Sequence, residues 1–212
     1  MTKKSLVLLC CSLLLSSCTF LIYKAYGIKN PGIENEKSLT KFLRKKHLRT
    51  DNYVTIKPEH FLLTLKGKGI PDADFFDANG DYLEYRATDS SCNAGVFGFI
   101  PTLGTSTVFR KTGLKSLQKE WDKFLSPTGK VLPALPTADF YMFIYWTAWS
   151  GRLNKDHVKV WEDSALAHTK AKIHIIKVNM DLQEYWDEKE RQKIIDILNK
   201  SAKKSANHNS TK

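Results

Sequence analysis

The sequence has little cysteine outside its N-terminal segment. Three of the four cysteines (Cys10, Cys11 and Cys18) lie within the first twenty residues, which leaves Cys92 as the remaining thiol. One thiol cannot form an internal disulfide, so a small domain held together by a cystine framework is excluded. The fold must depend on a packed core, and 212 residues with a hydrophobic fraction of 42% are ample for one cored domain.

The N-terminus has no charged side chain over residues 5–23, directly after Lys3 and Lys4. Two interpretations fit this pattern. The sequence LSSC, ending at Cys18, resembles a bacterial lipobox, in which the signal peptide is removed and Cys18 is lipidated. Alternatively, the uncharged run is an uncleaved transmembrane helix, because about 20 apolar residues cross the hydrocarbon core. Both interpretations predict a membrane-anchored protein whose remainder faces the periplasm or cell exterior.

Acidic residues are also few, 22 against 33 basic residues, which gives a formal net charge of +11. Basic side chains concentrate shortly after the apolar run, at Arg44, Lys45, Lys46, His47 and Arg49, and again in the C-terminal tail at Lys200, Lys203, Lys204 and Lys212. These clusters are either a site for anionic lipid or cell-wall polymer or simply solvated surface. Nucleic acid is not expected as a partner outside the cytoplasm.

The hydrophobic pattern predicts one α/β domain over residues 35–200, joined to the anchor (1–23) by a tether (24–34) and followed by a disordered tail (201–212). Helices are predicted at 36–47, 113–125 and around 158–166, with a last helix after a capping box at Asp187 and Glu190. Strands are predicted at 140–146 and 173–178, and short strands or turns at 53–56 and 61–65. A β-hairpin is predicted over 75–86, turning at Asn79-Gly80, and an insertion at about 87–112 with strand character near 96–100.

One junction stands out, at residues 145–154, which read YWTAWSGRLN. An apolar strand runs into a tryptophan-rich turn and then a helix, and a second buried strand follows at 173–178, which indicates a βαβ unit. This pattern resembles thioredoxin, whose active loop reads W-A-x-W-C-x-x-C after an aromatic strand. Trp146 and Trp149 match the two aromatic positions and Gly151 the glycine.

The resemblance extends to a second segment, which stands earlier in the chain. Thioredoxins carry G-I-P with a cis-proline facing the active loop, then a hairpin and a final helix. Here Gly69-Ile70-Pro71 precedes the predicted hairpin and the predicted helix at 113–125. Either the two halves of a thioredoxin-like fold stand in exchanged order, or the hairpin is an N-terminal extension like that of the membrane-anchored, cytochrome-maturation type. The expected fold is a three-layer, thioredoxin-like sheet with flanking helices.

The active-loop cysteines of the family are missing. Ser150 and Leu153 occupy their positions, and disulfide exchange needs a thiolate and a resolving thiol. Disulfide oxidoreductase chemistry at residues 150–153 is therefore excluded, and no cofactor is expected. The resemblance implies a non-catalytic module that binds an envelope protein or peptide through an exposed surface formed by Trp146, Trp149, Ser150, Gly151 and Arg152, with Ile70 and Pro71 opposite.

Other residues could carry chemistry. Ser150 is either a nucleophile activated by His157 or His174 or, as we expect, a helix cap. Cys92 is a weak candidate for a peroxide- or thiol-reactive enzyme, although Asp89, three residues before it, would raise the pKa of its thiol.

Six histidines and the acidic pairs Asp72/Asp74 and Asp77/Asp81 raise the question of a metal site. Asp77, Asn79 and Asp81 resemble the start of a calcium loop but lack its Gly and Glu positions, so we expect a hairpin turn and no metal.

Overall fold

The computed structural model describes residues 24–87, 93–104 and 108–209, with the backbone alone for 202–209. In chain order the elements are β1 (Ile33–Glu34), α1 (Glu36–Lys45), β2 (Tyr53–Ile56), α2 (Pro58–Gly67), β3 (Asp72–Asp77), β4 (Asp81–Leu83), α3 (Gly95–Phe99), β5 (Lys111–Ser116), α4 (Leu117–Trp121), β6 (Phe124–Leu125), β7 (Phe140–Trp146), a π-helical turn (Asn154–Lys159) that continues into α5 (Val160–Leu166), β8 (Ile173–Asn179), β9 (Leu182–Gln183) and α6 (Glu188–Asn209). The apolar N-terminal run, Cys18 and Cys92 lie outside the described residues.

The main sheet has seven strands in the order β5-β4-β3-β7-β8-β2-β6. Strands β7, β8 and β2 run parallel at its centre, whereas β3, β4, β5 and β6 are antiparallel to their neighbours. A separate pair joins β1 and β9 in parallel. The predicted α/β class is thus confirmed as a mixed sheet flanked by helices.

Apolar side chains cover both faces of the central strands, which explains the unbroken apolar run of β7. On one face, Trp146 and Phe75 pack with residues of α1, α3 and α5. On the other, Phe76, Phe143 and Tyr145 pack with residues of α2 and α6. The helices therefore lie on both sides of the sheet and hold the ends of β7 and β8 in fixed positions.

The helix ends follow from local sequence. Asn35 and Ser38 form a reciprocal capping box at the start of α1, in which each side-chain oxygen accepts the other residue's backbone N–H at 2.9 Å. Asp187 Oδ1 accepts the backbone N–H groups of Lys189 and Glu190 at 3.0 and 3.1 Å, which confirms a cap at the start of α6. The hairpin of β3 and β4 turns at Gly80, where φ is +83°.

Four element predictions are wrong. The segment predicted as a helix over 113–125 forms β5, short α4 and β6; Gly113 has φ of +66° and β4 offers a free edge. Residues 61–65 belong to α2, because Pro58 at its first turn starts a helix. Residues 96–100 lie in short helical turns instead of a strand. The tail, predicted to be disordered from residue 201, continues α6 to Asn209.

No helix within the described ranges is both long and apolar enough to cross a bilayer.

Candidate functional site

The candidate site is the loop that follows β7, residues 146–152, at the end of the sheet where parallel strands β7 and β8 both finish. In α/β sheets, ligands bind at the carboxyl ends of the parallel strands. Trp146, expected on the exposed surface, is fully buried, and its ring stacks on Phe42 of α1 at 5.6 Å. Trp146 therefore anchors the loop to the core, and its predicted exposure is wrong.

Ser150 is also buried, 1% exposed, so its predicted exposure is wrong as well. Its hydroxyl donates to the carbonyl of Thr147 at 2.9 Å and does not cap the following helix as expected. His174 pairs with Tyr141, near the opposite end of β7, and the His157 ring packs on Phe97 and Trp161. A hydroxyl that donates to a backbone carbonyl is not oriented to give its proton to a histidine base.

The loop is covered by the segment predicted to be a free tether. The backbone N–H of Lys29 donates to the carbonyl of Trp149 at 2.9 Å, and the N–H of Arg152 donates to the carbonyl of Tyr26 at 2.6 Å. These two bonds pair residues 26–29 with residues 149–152 in antiparallel fashion. The tether prediction is therefore wrong for this stretch, which we call the strap.

Gly151 permits this close approach. Its φ is +59°, and a side chain there would collide with the carbonyls of Tyr26 and Gly27. Glycine is the residue that adopts this conformation and leaves this space without cost. Gly151 is thus buried under the strap, whereas Trp149 is half-buried and Arg152 remains exposed.

Ile70 and Pro71 directly precede β3, and the bond between them is cis. Asp72 pairs with Tyr145 in the β3–β7 register, so Ile70-Pro71 lies at the same end of the sheet as Trp146. Pro71 is buried and its carbonyl accepts the side-chain N–H of Asn93, while Ile70 is half-buried against the α2–α6 face. The structure thus brings the two predicted halves of the site to one end of the sheet.

Sequence reasoning missed a buried polar cluster beneath the loop. Asp181 Oδ2 accepts the backbone N–H of Ala148 at 2.7 Å and the side-chain N–H of Asn179 at 2.6 Å. Burial raises the pKa of Asp181 to about 7, although these two donors oppose the shift. The signal in the sequence was a polar residue at every second position, Asn179, Asp181 and Gln183, where an apolar strand ends. Polar residues of a solvent-exposed loop would not be expected to alternate so regularly.

The acidic pairs considered for a metal are engaged with cations. Asp77 Oδ1 accepts the backbone N–H groups of Asn79 and Asp81 at 3.0 Å, and Lys111 bridges Asp77 and Asp81, as expected of a hairpin turn. Asp74 is paired with lysines at 2.7 and 2.8 Å. Among the described residues, no group of three or more His, Cys, Asp or Glu side chains could hold a metal ion.

The comparisons with known proteins add no relative: no family model, no curated protein and no solved structure matches the chain.

Proposed function

We propose that this protein is a membrane-tethered, envelope-facing, thioredoxin-like module that binds an extended peptide or a partner protein without catalysis. The membrane anchor and the orientation rest on the uncharged run over residues 5–23 and on Cys18. The exclusion of redox chemistry at the loop rests on Ser150 and Leu153, since neither side chain exchanges with a disulfide.

Strand order supports the thioredoxin-like proposal with the two halves exchanged. Strand β7 leads into the loop and runs parallel to β8, as in the family's βαβ unit. The β3–β4 hairpin follows Ile70-Pro71, and β3 pairs with β7 along six residue pairs from Asp72–Tyr145 to Asp77–Phe140. A hairpin that forms part of the central sheet fits exchanged halves better than a separate N-terminal extension.

The observation that carries the binding proposal is the strap on the loop. The Trp149 carbonyl and the Arg152 N–H are hydrogen-bonded to another segment of the chain, residues 26–29, in which a helical stretch ends at Tyr26 and the backbone turns at Gly27. Adding an extended segment through backbone hydrogen bonds is a general mode of peptide recognition. The exposed Arg152 side chain and half-buried Trp149 border this position and can contact the ligand's side chains.

A peptide array tests the proposal with the full-length chain in detergent. Ligands of the loop should lose at least about tenfold in affinity for Arg152→Pro, which lacks the N–H donor. Arg152→Ala keeps that donor and removes only the side chain, so it should lose clearly less affinity than Arg152→Pro. Ligands that bind both variants equally would place the binding site elsewhere and contradict the proposal.

A second function, binding to anionic lipid or polymer, is favoured by one observation. Helix α1 buries Leu39 and Leu43 and leaves the basic side chains of Lys37, Lys41, Arg44 and Lys45 exposed. Such binding should weaken steeply with added salt and survive Arg152→Pro, because it depends on charge alone. Flotation with vesicles of anionic and of neutral lipid, at low and high salt, separates the two functions.

A further inference from the structure

We propose that residues 26–29 are a displaceable internal ligand: the strap occupies the docking position on residues 149–152, and a partner peptide must replace it. This inference rests on the proposed function and adds two things to it, a regulatory contact and a chemical description of the ligand. The two hydrogen bonds and the close approach at Gly151 define the position that both would share.

The strap is held loosely compared with the elements around it. The side chains of Tyr26 and Lys29 are exposed, and only Ile28 within the strap is partly buried. Its two hydrogen bonds to the loop exchange readily with water on opening, so their net stabilisation is small. By contrast, the chain beyond it is fixed by the pairing of β1 with β9 and by the Asn35 cap of α1. The strap can therefore leave the loop while the domain stays folded.

The backbone conformation of the strap indicates what kind of peptide could replace it. Gly27 adopts a positive φ of +61°, and a side chain at this position would meet no atom within 4 Å. Glycine is thus required by backbone conformation and not by space, and asparagine is the other residue that tolerates this conformation. The expected partner is a peptide whose backbone turns at a glycine or asparagine facing Gly151, as the strap turns at Gly27, and which is recognised mainly through its backbone.

Competition between the strap and an added peptide tests the inference. The probe is a fluorescently labelled synthetic peptide of residues 24–32, KAYGIKNPG, whose anisotropy is followed as the full-length protein is added in detergent. Lys29→Pro removes the strap's N–H donor, and Gly27→Val disfavours its positive φ. Lys29→Ala and Gly32→Val are matched controls, since Lys29→Ala keeps the donor and Gly32 has no positive φ.

We expect Lys29→Pro and Gly27→Val to bind the probe at least about tenfold more tightly than the wild type, because more of the protein then has a free loop. Both controls should bind as the wild type does, and the altered probe KAYVIKNPG should bind each protein more weakly.

If all five proteins bind the probe equally, the strap does not compete with the peptide and this inference is wrong, although the proposed peptide-binding function would still stand. Absence of binding in every variant, together with rapid exchange of the Arg152 N–H in Lys29→Pro, would mean that an open loop takes no peptide. The proposed function would then fail as well.

Discussion

Asp74 in β3 and Asp181 just after β8 are both almost fully excluded from water, yet their surroundings shift their pKa in opposite directions. Burial alone would raise the pKa of Asp74, but Lys68 and Lys115 outweigh it and hold the pKa below its usual range. Among the described residues, the groups that donate to Asp181 are neutral, so burial prevails and raises its pKa to about 7. The two lysines thus keep Asp74 charged, whereas the neutral donors around Asp181 do not offset the cost of burying its charge.

The two aspartates also serve different parts of the molecule. Asp74 accepts the Tyr145 hydroxyl at 3.0 Å and joins β3 to β7 in a network closed by lysines. Asp181 contacts the loop through Ala148, and nearby Glu34 of β1 further raises its pKa. Asp74 and its two lysines thus stay charged at the central sheet. Asp181, which can change its protonation state, lies between the loop after β7 and strand β1.

The largest effect is expected from Asp74→Asn. The change leaves buried Lys68 without its closest carboxylate and should lower the free energy of unfolding by about 4 kcal/mol. Urea unfolding at pH 7 measures the loss. Asp77→Asn, on the hairpin beside exposed Lys111, is the control and should cost far less because water screens that pair.

The sign of the pH dependence follows from the depressed pKa of Asp74. Its stabilisation is present above the unfolded-state pKa of about 4 and is lost as the pH falls below that value. The difference in the free energy of unfolding between wild type and Asp74→Asn should therefore become smaller below about pH 4. A gap that stays constant down to pH 2 would contradict the ionised state of Asp74.

A double substitution should recover part of the loss. Lys68→Met in the Asp74→Asn background removes the buried charge that has lost its closest partner and leaves Asp72 paired with Arg86. Apolar replacements of buried ion pairs are often well tolerated. We expect the double variant to regain about 2 kcal/mol relative to Asp74→Asn alone. If the double variant instead loses as much stability as Asp74→Asn and Lys68→Met do when added together, Lys68 and Asp74 are not a coupled pair.

Asp181→Asn should have an effect of the opposite sign to Asp74→Asn and of smaller size. The raised pKa means that the folded protein binds more protons than the unfolded chain between pH 4 and 7, so wild-type stability falls as the pH rises through this range. An amide mimics the protonated acid and should gain about 2 kcal/mol at pH 8, within the ceiling of about 4 kcal/mol for this shift. At pH 4 both proteins should unfold alike. A variant that keeps the wild-type pH profile would contradict a titrating Asp181.

Local sequence signals located the elements whose pattern is decided by near neighbours. The apolar run of β7, the Asn79-Gly80 turn and the Asp187 cap each depend on residues a few positions apart, and all three formed as expected. Residues 113–125 misled because Leu114, Leu117 and Trp121 are spaced as on a helix. The first half of that segment instead pairs with the edge of β4, about 30 residues earlier in the chain, and forms β5 with Leu114 exposed.

The sequence pointed to the loop and to Ile70-Pro71 but not to the strap that covers the loop. The loop and Ile70-Pro71 were identified because side-chain types at fixed spacing carried the signal. The strap pairs with the loop through backbone atoms, far away in the chain, and backbone pairing leaves no mark on residue type except at Gly27 and Gly151. Gly27 ends the helical stretch at 24–26, so its sequence signal is local, and only the structure shows that Gly27 and Gly151 face each other.

Hydrogen–deuterium exchange at the Arg152 amide tests the strap on the loop most directly. The account predicts slow exchange in the wild type and in Lys29→Ala, and markedly faster exchange in Lys29→Pro, while the Ile144 amide within β7 stays protected in all three. An Arg152 amide that exchanges as fast in the wild type as in Lys29→Pro would show that residues 26–29 do not cover the loop, and would contradict the account.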